Sequence, residues 1–407
     1  MSDGPLTGVT VVDLTRVLAG PFSTMILADI GARVIKIERP GRGDDTRQFG
    51  PPFLKGRDGA DTAEAAYYLG ANRNKESLTL DLADPRGQQI VRDLVARADI
   101  LVENFKTGDL AKFGLSYDAL KADHPGLIYC SITGFGQTGP MAARAGYDFL
   151  VQAMGGLMSI TGNADEVPGG GPLRVGVPIS DLLTGMYATI AMLGALTHRA
   201  RTGEGQLVDI ALLDATVATL ANQAMNYLTT GRAPGRIGNT HPNIVPYQAF
   251  ATSDGAIVVA IGNDRQFGRF AELLEAPELA RDPRFESNVA RVENRAELVP
   301  ILEARMAERT SAEWSVMLEE AGLPSGPINN LEQVFADPQV LARGMRVELD
   351  HPLAGTVALV GSPLKLSASP VTYRRHPPTL GEHTEAILSE LGRDAAEIAA
   401  LHDDGVV

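Results

Sequence analysis

Cysteine is nearly absent from this sequence, since Cys130 is the only one among 407 residues. A single cysteine cannot form an intrachain disulfide, so the sequence gives no support for secretion. The N-terminal stretch MSDGPLTGVT lacks the basic start and the apolar run of a signal peptide. The longest apolar stretch, 182–196, is shorter than the roughly 20 residues that a membrane span needs. We therefore predict a soluble, cytoplasmic protein without a membrane partner.

Positive charge is also scarce: 36 Lys and Arg residues stand against 50 Asp and Glu residues, a formal net charge of −14. Nonspecific nucleic-acid binding needs a basic surface, so we predict no nucleic-acid partner. Residues 1–75 differ from the rest, with ten Lys and Arg against nine Asp and Glu, and there we expect an anionic ligand. The histidines are scattered, without HxxxH spacing or a pairing with cysteine, so we predict no metal.

Strand and helix patterns alternate along the first half of the chain. Apolar, β-branched runs predict strands at 8–14, 33–38, 77–82, 99–105, 127–135 and 206–212. Helical spacing of apolar residues predicts helices at 22–32, 84–98, 182–200 and 214–228. This alternation indicates an α/β fold with a doubly wound parallel sheet, which binds ligands at the C-terminal ends of its strands.

The amino-acid composition of the chain changes after residue 228. Residues 229–246 are rich in Gly, Pro, Arg and Asn and are predicted to be a linker. The block 247–325 is predicted to be a smaller, inserted α+β domain, followed by a second linker at 326–345. Residues 346–407, with a strand at 356–360 and a helix at 384–392, are predicted to return to the large domain formed by 1–228. The parallel sheet would then be built from both ends of the chain.

Polar and basic residues follow several predicted strands. Taken singly, a basic residue there is more often a solvated surface charge, and an asparagine is more often a turn residue. Strand ends of one parallel sheet converge on one crevice, however, which makes an anion site equally reasonable. The candidates are Arg39, Arg42 and Arg47 after the second strand, Arg73 and Lys75 beside the third, and Asn104 after the fourth.

The stretch GVPISDLLTG (176–185) places Asp181 directly before a long apolar run. An aspartate at this point is either the N-cap of a helix beginning at residue 182 or a reactive carboxylate. The two interpretations are compatible, because a helix N-terminus favours the ionised carboxylate and lowers its pKa. The local pattern alone favours the cap.

The order of motifs in this chain resembles that of the class III CoA-transferases, which include formyl-CoA transferase and carnitine CoA-transferase, with alpha-methylacyl-CoA racemase as a relative. The resemblance runs from about residue 6 to 405. It is carried by VVDLTRVLAGP, RVIKIERPGRGD, ANRNKESLTLDL, ADILVENFKTGDLAKFGLSYDAL, ITGFGQTGP, GYDFLVQAMGG and PPTLGEHTEAILSELG.

This resemblance implies a Rossmann-like large domain, an interlocked homodimer, and coenzyme A or acyl-CoA as a substrate rather than a prosthetic group. Asp181 matches the catalytic aspartate in the family pattern Asp-x-x-Thr/Ser-Gly, which attacks the thioester. The resemblance also implies CoA contacts at Val17, Leu18, Ala19, Arg39, Asn74, Lys75, Asn104, Phe105 and Lys112. We add Arg73 to these predicted contacts because of its position beside a predicted strand. Tyr147 and Asp148 match the segment beside the thioester.

Three positions separate the possible activities. Leu18 stands where formyl-CoA transferase has a glutamine, which argues against formyl and oxalate chemistry; Asp148 replaces a glutamate. The racemase has a histidine in a GHD stretch where this chain has GYD, so Tyr147 replaces that histidine. A phenol has a reference pKa of about 10 and therefore exchanges protons poorly near neutral pH. These positions favour transfer of CoA between carboxylic acids over racemisation or epimerisation. A noncatalytic CoA-binding protein is the alternative from another class.

Residues of the smaller domain are candidates for choosing the acceptor acid. Gly262, Asn263 and Arg265 lie in AIGNDRQFGRF, and loops near a domain junction often line pockets. An arginine fork suits a second carboxylate, so Arg265 is a candidate for binding a dicarboxylic acid. The resemblance separately implies a dicarboxylate such as succinate as one partner, because succinyl-CoA is a common CoA donor in the family. The identity of both acids lies beyond the sequence.

Overall fold

Six parallel strands form the central sheet of the computed structural model, which describes residues 4–407. The first three residues, part of the stretch examined for a signal peptide, lie outside the described residues. The strands are β1 (Thr10–Asp13), β2 (Arg33–Glu38), β3 (Phe53–Lys55), β4 (Asp61–Ala65), β5 (Lys75–Thr79), β6 (Ile100–Glu103), β7 (Ile128–Thr133), β8 (Leu207–Ala211), β9 (Tyr247–Ala251), β10 (Ala256–Ala260), β11 (Ser325–Pro327), β12 (Arg346–His351) and β13 (Gly355–Val360).

The helices follow the predicted alternation through the first half of the chain. They are α1 (Ala19–Asp29), α2 (Ala66–Leu69), α3 (Pro85–Val95), α4 (Tyr117–Leu120), α5 (Asp148–Met154), α6 (Leu157–Ile160), α7 (Ile179–Thr202), α8 (Leu212–Ala218), α9 (Ala221–Thr230), α10 (Asp264–Leu273), α11 (Asn288–Glu293), α12 (Arg295–Met306), α13 (Ser311–Glu320), α14 (Leu331–Ala336), α15 (Pro338–Ala342), α16 (Thr384–Glu390) and α17 (Ala395–Asp403). One predicted helix, 214–228, is divided into α8 and α9 around Thr219.

The strand order in the central sheet is β5-β2-β1-β6-β7-β8, and every neighbouring pair is parallel. The chain therefore builds outward from β1 in one direction and then returns to build outward from β6 in the other. This is the doubly wound arrangement, whose ligand crevice lies where the direction reverses, beyond the C-terminal ends of β1 and β6. The predicted α/β class and parallel sheet are confirmed.

The two faces of the sheet are covered by different helices. Val11 packs in a buried cluster with residues of α1 and α7, whereas its neighbour Val12 packs with residues of α3, α16 and α17. Successive side chains of a strand point to opposite faces, so a strand buried on both sides is apolar at every position. This explains the apolar residues on both faces of β1 and β6, which are Val11 and Val12 in β1 and Ile100, Leu101 and Val102 in β6.

The prediction that both ends of the chain build the parallel sheet is wrong. All six strands of that sheet lie between residues 10 and 211, and the predicted strand at 356–360 pairs with β12 in an antiparallel hairpin instead. The tail nevertheless contacts the sheet edge at β5: the Thr384 hydroxyl accepts a hydrogen bond from the Thr79 amide at 3.1 Å, and the His383 amide donates to the Ser77 carbonyl oxygen at 2.9 Å. The sequence of a short amphipathic strand does not indicate which other strand it pairs with.

The chain divides into two compact units. The first comprises residues up to 157, 175–224 and 338–407, and the second comprises 158–174 and 225–337. Segment 158–174, which we predicted to lie in the large domain, belongs to the second unit. There the Arg236 guanidinium binds the Asp165 carboxylate and donates to the Asn163 carbonyl oxygen at 3.3 Å.

Helix α7 is longer than the apolar run 182–196 and begins three residues before its predicted start. By length and composition alone it could cross a membrane. One face nevertheless packs inside the first unit, since Thr184, Gly185 and Ala188 are buried. A Cβ on Gly185 would lie 2.7 Å from the Ala19 carbonyl oxygen, so this glycine allows the start of α1 to approach the start of α7.

Buried ions lie beneath the loop that follows β1. The Lys36 Nζ donates to the Thr15 carbonyl oxygen and to the Asp44 carboxylate, each at 2.8 Å, and the Lys75 Nζ lies 3.2 Å from the Asp13 carboxylate. Burial opposes the charge on Asp44, but the Lys36 ammonium and several hydrogen bonds lower its pKa to about 2. Burial lowers the pKa of Lys75 to about 8. Each of these charges is therefore compensated by a neighbour.

We expect Lys36→Met to reduce the free energy of unfolding by about 3–5 kcal/mol, because it leaves buried carboxylates without their cation. Lys55→Met is the matched control, since Lys55 forms an exposed pair with Asp61 and should cost no more than about 1 kcal/mol. Urea unfolding followed by circular dichroism measures both. Equal losses in the two variants would contradict the importance of burial.

Candidate active site

Loops after three sheet strands surround a cavity of about 280 Å³ at the predicted crevice. Residues 16–19 follow β1, residues 104–107 follow β6, and residues 133–134 and 142–147 flank the loop after β7. Asp181, in the first turn of α7, lines the same cavity. The cavity is thus the point where the topology brings together residues distant in sequence.

Val17 has a strained backbone, with φ at 71°. A β-branched residue rarely adopts this left-handed conformation, so the surrounding structure must enforce it. The Val17 amide donates to the Asp44 carboxylate at 3.1 Å, and the preceding Arg16 amide donates to the Asn104 side-chain oxygen at 3.0 Å. The loop that begins the cavity wall is therefore held from both sides by side chains of other segments.

Asn104 has a structural function within the cavity wall. Its side-chain NH₂ donates to the Arg16 carbonyl oxygen at 2.7 Å, while its oxygen accepts from the Arg16 amide. Both polar groups therefore bind the loop after β1, although we predicted that Asn104 would bind a ligand. The residue lines the cavity, and its contact with CoA stays a prediction.

The predicted N-cap role of Asp181 is wrong. Helix α7 begins at Ile179, so Asp181 is its third residue, and Pro178 occupies the position before the helix. The cap comes from Asp148, whose carboxylate accepts from the Ser180 amide at 2.8 Å and from the Asp181 amide at 3.4 Å. Asp148 is the first residue of α5 and also accepts from the Gln152 side chain at 2.7 Å. Two carboxylates therefore share one helix N-terminus.

The predicted lowering of the pKa of Asp181 is also wrong. Burial in the cavity wall raises that pKa to about 7, and the neighbouring Asp148 carboxylate raises it in the same direction. The helix dipole favours the ionised form by only about 0.3–1 kcal/mol at exposed sites, which is smaller than the penalty from burial beside a second negative charge. A carboxylate with this pKa is more basic than an ordinary aspartate.

A second cavity of about 260 Å³ lies beyond the ends of β1, β2 and β5. Arg16 and Phe105 line both cavities, and the Arg16 guanidinium lies 5.6 Å from the centre of the Phe105 ring. Apolar side chains make up much of the wall, and they are Leu14, Ile37, Leu80, Leu82 and Phe113. Arg39 adds a positive charge to this wall. The wall also contains Glu38, Asp44 and Asp81, and Arg39 lies 3.3 Å from the Asp45 carboxylate, so the cavity combines an apolar surface with charges of both signs.

Several predicted ligands have their side chains engaged inside the protein. Arg73 binds the Asp29 carboxylate through Nε at 2.9 Å. Asn74 binds Asp29 as well and accepts from the Arg374 amide at 2.6 Å. Lys75 is fully buried against Asp13. These three residues are not among the lining residues of either cavity, because their side chains fix the sheet edge and the tail.

The remaining predicted residues divide between the cavities and other places. Val17, Leu18, Ala19, Asn104, Phe105, Tyr147 and Asp181 line the first cavity, and Arg39 and Phe105 line the second. Lys112 is exposed and pairs with Asp109 at 2.6 Å, Arg47 is buried against Glu38 and Glu64, and Arg42 is exposed. The CoA contacts of the lining residues stay predictions.

The residues that we predicted to choose the acceptor acid belong to the second unit. Asn263 caps α10, because its side-chain oxygen accepts from the Gln266 amide at 2.9 Å. The Gly262 amide donates to the Gln266 side chain at 2.8 Å, and Arg265 is exposed in the first turn of α10. A substrate role for Gly262, Asn263 and Arg265 stays a prediction.

Sequence reasoning missed several cavity residues. Arg16, Lys106 and Arg144 bring positive charge to the cavity that contains Asp181. Arg16 and Lys106 follow β1 and β6, so the strand-end argument that selected Arg39 also applies to them. Tyr67 was missed as well: burial and the nearby carboxylates of Asp181 and Asp148 raise the pKa of its phenol to about 12. No pattern in the sequence indicated that Tyr67 approaches Asp181.

Comparison with known proteins gives consistent results. The family described as CoA-transferase family III matches residues 6–384. A succinate–glutarate CoA-transferase of Agrobacterium fabrum is 48% identical over 95% of this chain and 96% of its own length. The human succinyl-CoA:glutarate CoA-transferase is 46% identical over 99% of this chain and 90% of its own length. The crystal structure of a CAIB/BAIF family protein from Brucella suis is similar with a TM-score of 0.83 and 48% identity, over 96% of this chain and 100% of that one.

We expect activity that needs ionised Asp181 to fall on the acid side of pH 7. With a pKa of about 7, about one tenth of the carboxyl groups are ionised at pH 6, so kcat/KM should be roughly tenfold below its plateau there. In Asp148→Asn, which keeps an oxygen for the α7 amides but removes the negative charge, the acid limb should move to lower pH. Initial rates between pH 5 and 9 measure this limb. An unchanged limb in Asp148→Asn would refute the electrostatic coupling.

Proposed function

Because the chain belongs to CoA-transferase family III, we propose that it moves CoA between an acyl-CoA donor and a carboxylic acid through a covalent intermediate on Asp181. The resemblance predicted from the motifs is confirmed, and the chain is a CoA-transferase. The observation that supports the covalent route is the position of Asp181 in the wall of the first cavity, at the start of α7 and at the crevice of the sheet.

The proposed chemistry begins with attack of the Asp181 carboxylate oxygen on the thioester carbonyl carbon. The carbon–sulfur bond breaks, CoA leaves as its thiolate, and a mixed anhydride joins Asp181 to the acyl group. The thiolate then attacks the aspartyl carbonyl carbon, which forms aspartyl-CoA and releases the donor acid. The acceptor carboxylate reverses these steps with its own acyl group. Each intermediate remains activated toward nucleophilic attack, so one direct exchange with a high barrier is replaced by several steps with lower barriers.

The two cavities provide a path for CoA in this proposal. The adenine ring would occupy the second cavity against its apolar wall, with Arg39 beside a phosphate. The pantetheine arm would pass Arg16 and Phe105, which line both cavities, and bring the thioester to Asp181. CoA is a substrate in this scheme. Within residues 4–407, no three His, Cys, Asp or Glu side chains gather as a candidate metal site.

We further propose that at least one substrate is a dicarboxylic acid or its CoA thioester. The names of the relatives from Agrobacterium fabrum and human specify succinate or succinyl-CoA together with glutarate. Positive side chains of Arg16, Lys106 and Arg144 line the cavity that contains Asp181. A carboxylate that remains on the acyl chain after thioester formation would meet positive charge there.

We also propose that the protein acts as a homodimer in the cytoplasm, without a membrane partner. In the first unit, Phe149, Met186 and Ile190 are exposed, and Ile190 exposes 63% of its surface. In the second unit, Leu228 and Leu331 expose 71% and 76% of their surfaces. Met186 and Ile190 lie one turn apart on α7, and neighbouring exposed apolar side chains of this kind indicate an interface with another protein. A second copy of the chain would cover them.

We expect Asp181→Ala to abolish acyl transfer, lowering kcat by about 10⁴-fold or more, because no other group supplies the nucleophile. Mass spectrometry after mixing the wild-type protein with succinyl-CoA and hydroxylamine should find a hydroxamate at Asp181. Asp214→Asn is the matched control: Asp214 is also the third residue of a helix, α8, but does not line either cavity. Full activity of Asp181→Ala would overturn the mechanism. Exchange of the acyl α-proton in deuterated water without an adduct would indicate a racemase instead.

We expect sedimentation velocity at micromolar protein concentration to give twice the chain mass. Ile190→Lys places a charge on the exposed face of α7 and should shift the protein toward the monomer. Val289→Lys provides a control, since Val289 is also an exposed apolar residue, at 66%, but lies on the separate, short helix α11. A monomeric wild-type protein would contradict the homodimer.

A further inference from the structure

The loop between β7 and α5 carries Arg144 to the wall of the first cavity. Its two ends are in direct contact, because a Cβ on Gly146 would lie only 2.5 Å from the Gly134 Cα. The Thr107 hydroxyl donates to the Ala142 carbonyl oxygen at 2.8 Å, which ties the loop to the segment after β6. Arg144 lies between these two attachment points. Its backbone is therefore held on both sides.

The guanidinium of Arg144 is oriented without being neutralised. It lies 5.6 Å from the centre of the Phe135 ring, within the range of a cation–π contact. Among residues 4–407, no carboxylate forms an ion pair with Arg144. The other arginine of this cavity differs, since Arg16 is paired with Asp45 at 2.9 Å. Lys106 is a further cation of the wall and is therefore tested separately below. Arg144 is the arginine in this wall with its charge available.

We propose that Arg144 binds the distal carboxylate of a dicarboxylic acyl group while the other end of that group reacts at Asp181. This inference rests on the proposed function and names the residue that selects the substrate class. A guanidinium presents two parallel N–H donors that match one carboxylate, which a lysine cannot do. The position also differs from that of Arg265, the sequence-based candidate, which lies in the second unit.

Arg144 is poorly placed for the phosphates of CoA. The cavity that suits the nucleotide contains Arg39, and Arg144 does not line it. Arg144 instead shares its cavity with Asp181, where the acyl group must lie. The difference between these locations gives the inference a sharp test, because a phosphate contact serves every acyl-CoA equally, whereas a carboxylate contact serves only dicarboxylic ones.

The test compares succinyl-CoA with butyryl-CoA, which has a methyl group where succinyl-CoA has its free carboxylate. The rate of covalent attachment to Asp181, trapped with hydroxylamine, is measured against donor concentration in the wild type, Arg144→Gln and Arg144→Lys. We expect Arg144→Gln to lower the second-order rate with succinyl-CoA by about 10- to 100-fold, the usual value of a charged hydrogen bond. The rate with butyryl-CoA should change less than about threefold. Arg144→Lys should recover part of the loss.

Two variants serve as controls. Arg343→Gln removes an exposed arginine at the end of α15 and should leave both rates unchanged. Lys106→Gln removes a different cation from the same cavity and should lower both rates to a similar, smaller extent. The butyryl-CoA rate also reports that each variant is folded, because it needs an intact cavity and Asp181.

Three outcomes would overturn the inference. An equal loss with both donors in Arg144→Gln would assign Arg144 to CoA itself or to the shape of the cavity. An unchanged succinyl-CoA rate would exclude any contact, and a selective loss in Lys106→Gln alone would assign the subsite to Lys106. Failure of the proposed function gives a different result, since no donor would then form an adduct at Asp181 in the wild-type protein.

Discussion

The buried ion pairs beneath the loop after β1 are the constraint on which the site depends. Lys36 connects the Thr15 carbonyl oxygen to Asp44, and Asp44 in turn accepts from the Val17 amide. Without these contacts the left-handed backbone of Val17 would relax, because a valine does not adopt it without support. Buried ion pairs seldom add net stability, so their value here is positional. They hold the first wall of the cavity at the crevice of the sheet.

Much of the fold could be predicted because its signals are local. Runs rich in apolar, β-branched residues identified the six strands of the central sheet, and their alternation with helices identified the doubly wound fold. The hairpin of β12 and β13 was not predicted, since the pairing partner of a short strand depends on distant residues. The start of α7 was misplaced for a related reason: its cap, Asp148, comes from α5, about thirty residues earlier.

The site could be predicted only in part, because sequence position does not determine where a side chain points. Arg39 follows β2 and Lys75 is the first residue of β5, yet Arg39 lines a cavity while Lys75 is buried against Asp13. Charged residues are rarely buried, so a solvated or ligand-binding lysine was the natural expectation. Arg144 reaches the neighbourhood of Asp181 on a loop and Tyr67 on the four-residue helix α2, and neither segment is long enough or regular enough to leave a periodic pattern.

The pairing of Asp148 with Asp181 has an energetic consequence for the proposed reaction. The free enzyme holds two carboxylates at one helix end, and both burial and their mutual repulsion disfavour the charge on Asp181. Attachment of an acyl group or CoA to Asp181 removes that charge and leaves Asp148 alone with the α7 amides. If the reaction follows the proposed covalent route, forming the intermediate would therefore release an electrostatic penalty that is already present in the resting site. In the proposed mechanism the nucleophile would thus start at raised energy, and the first turn of α7 would be electrostatically more stable in the acylated enzyme than in the free one.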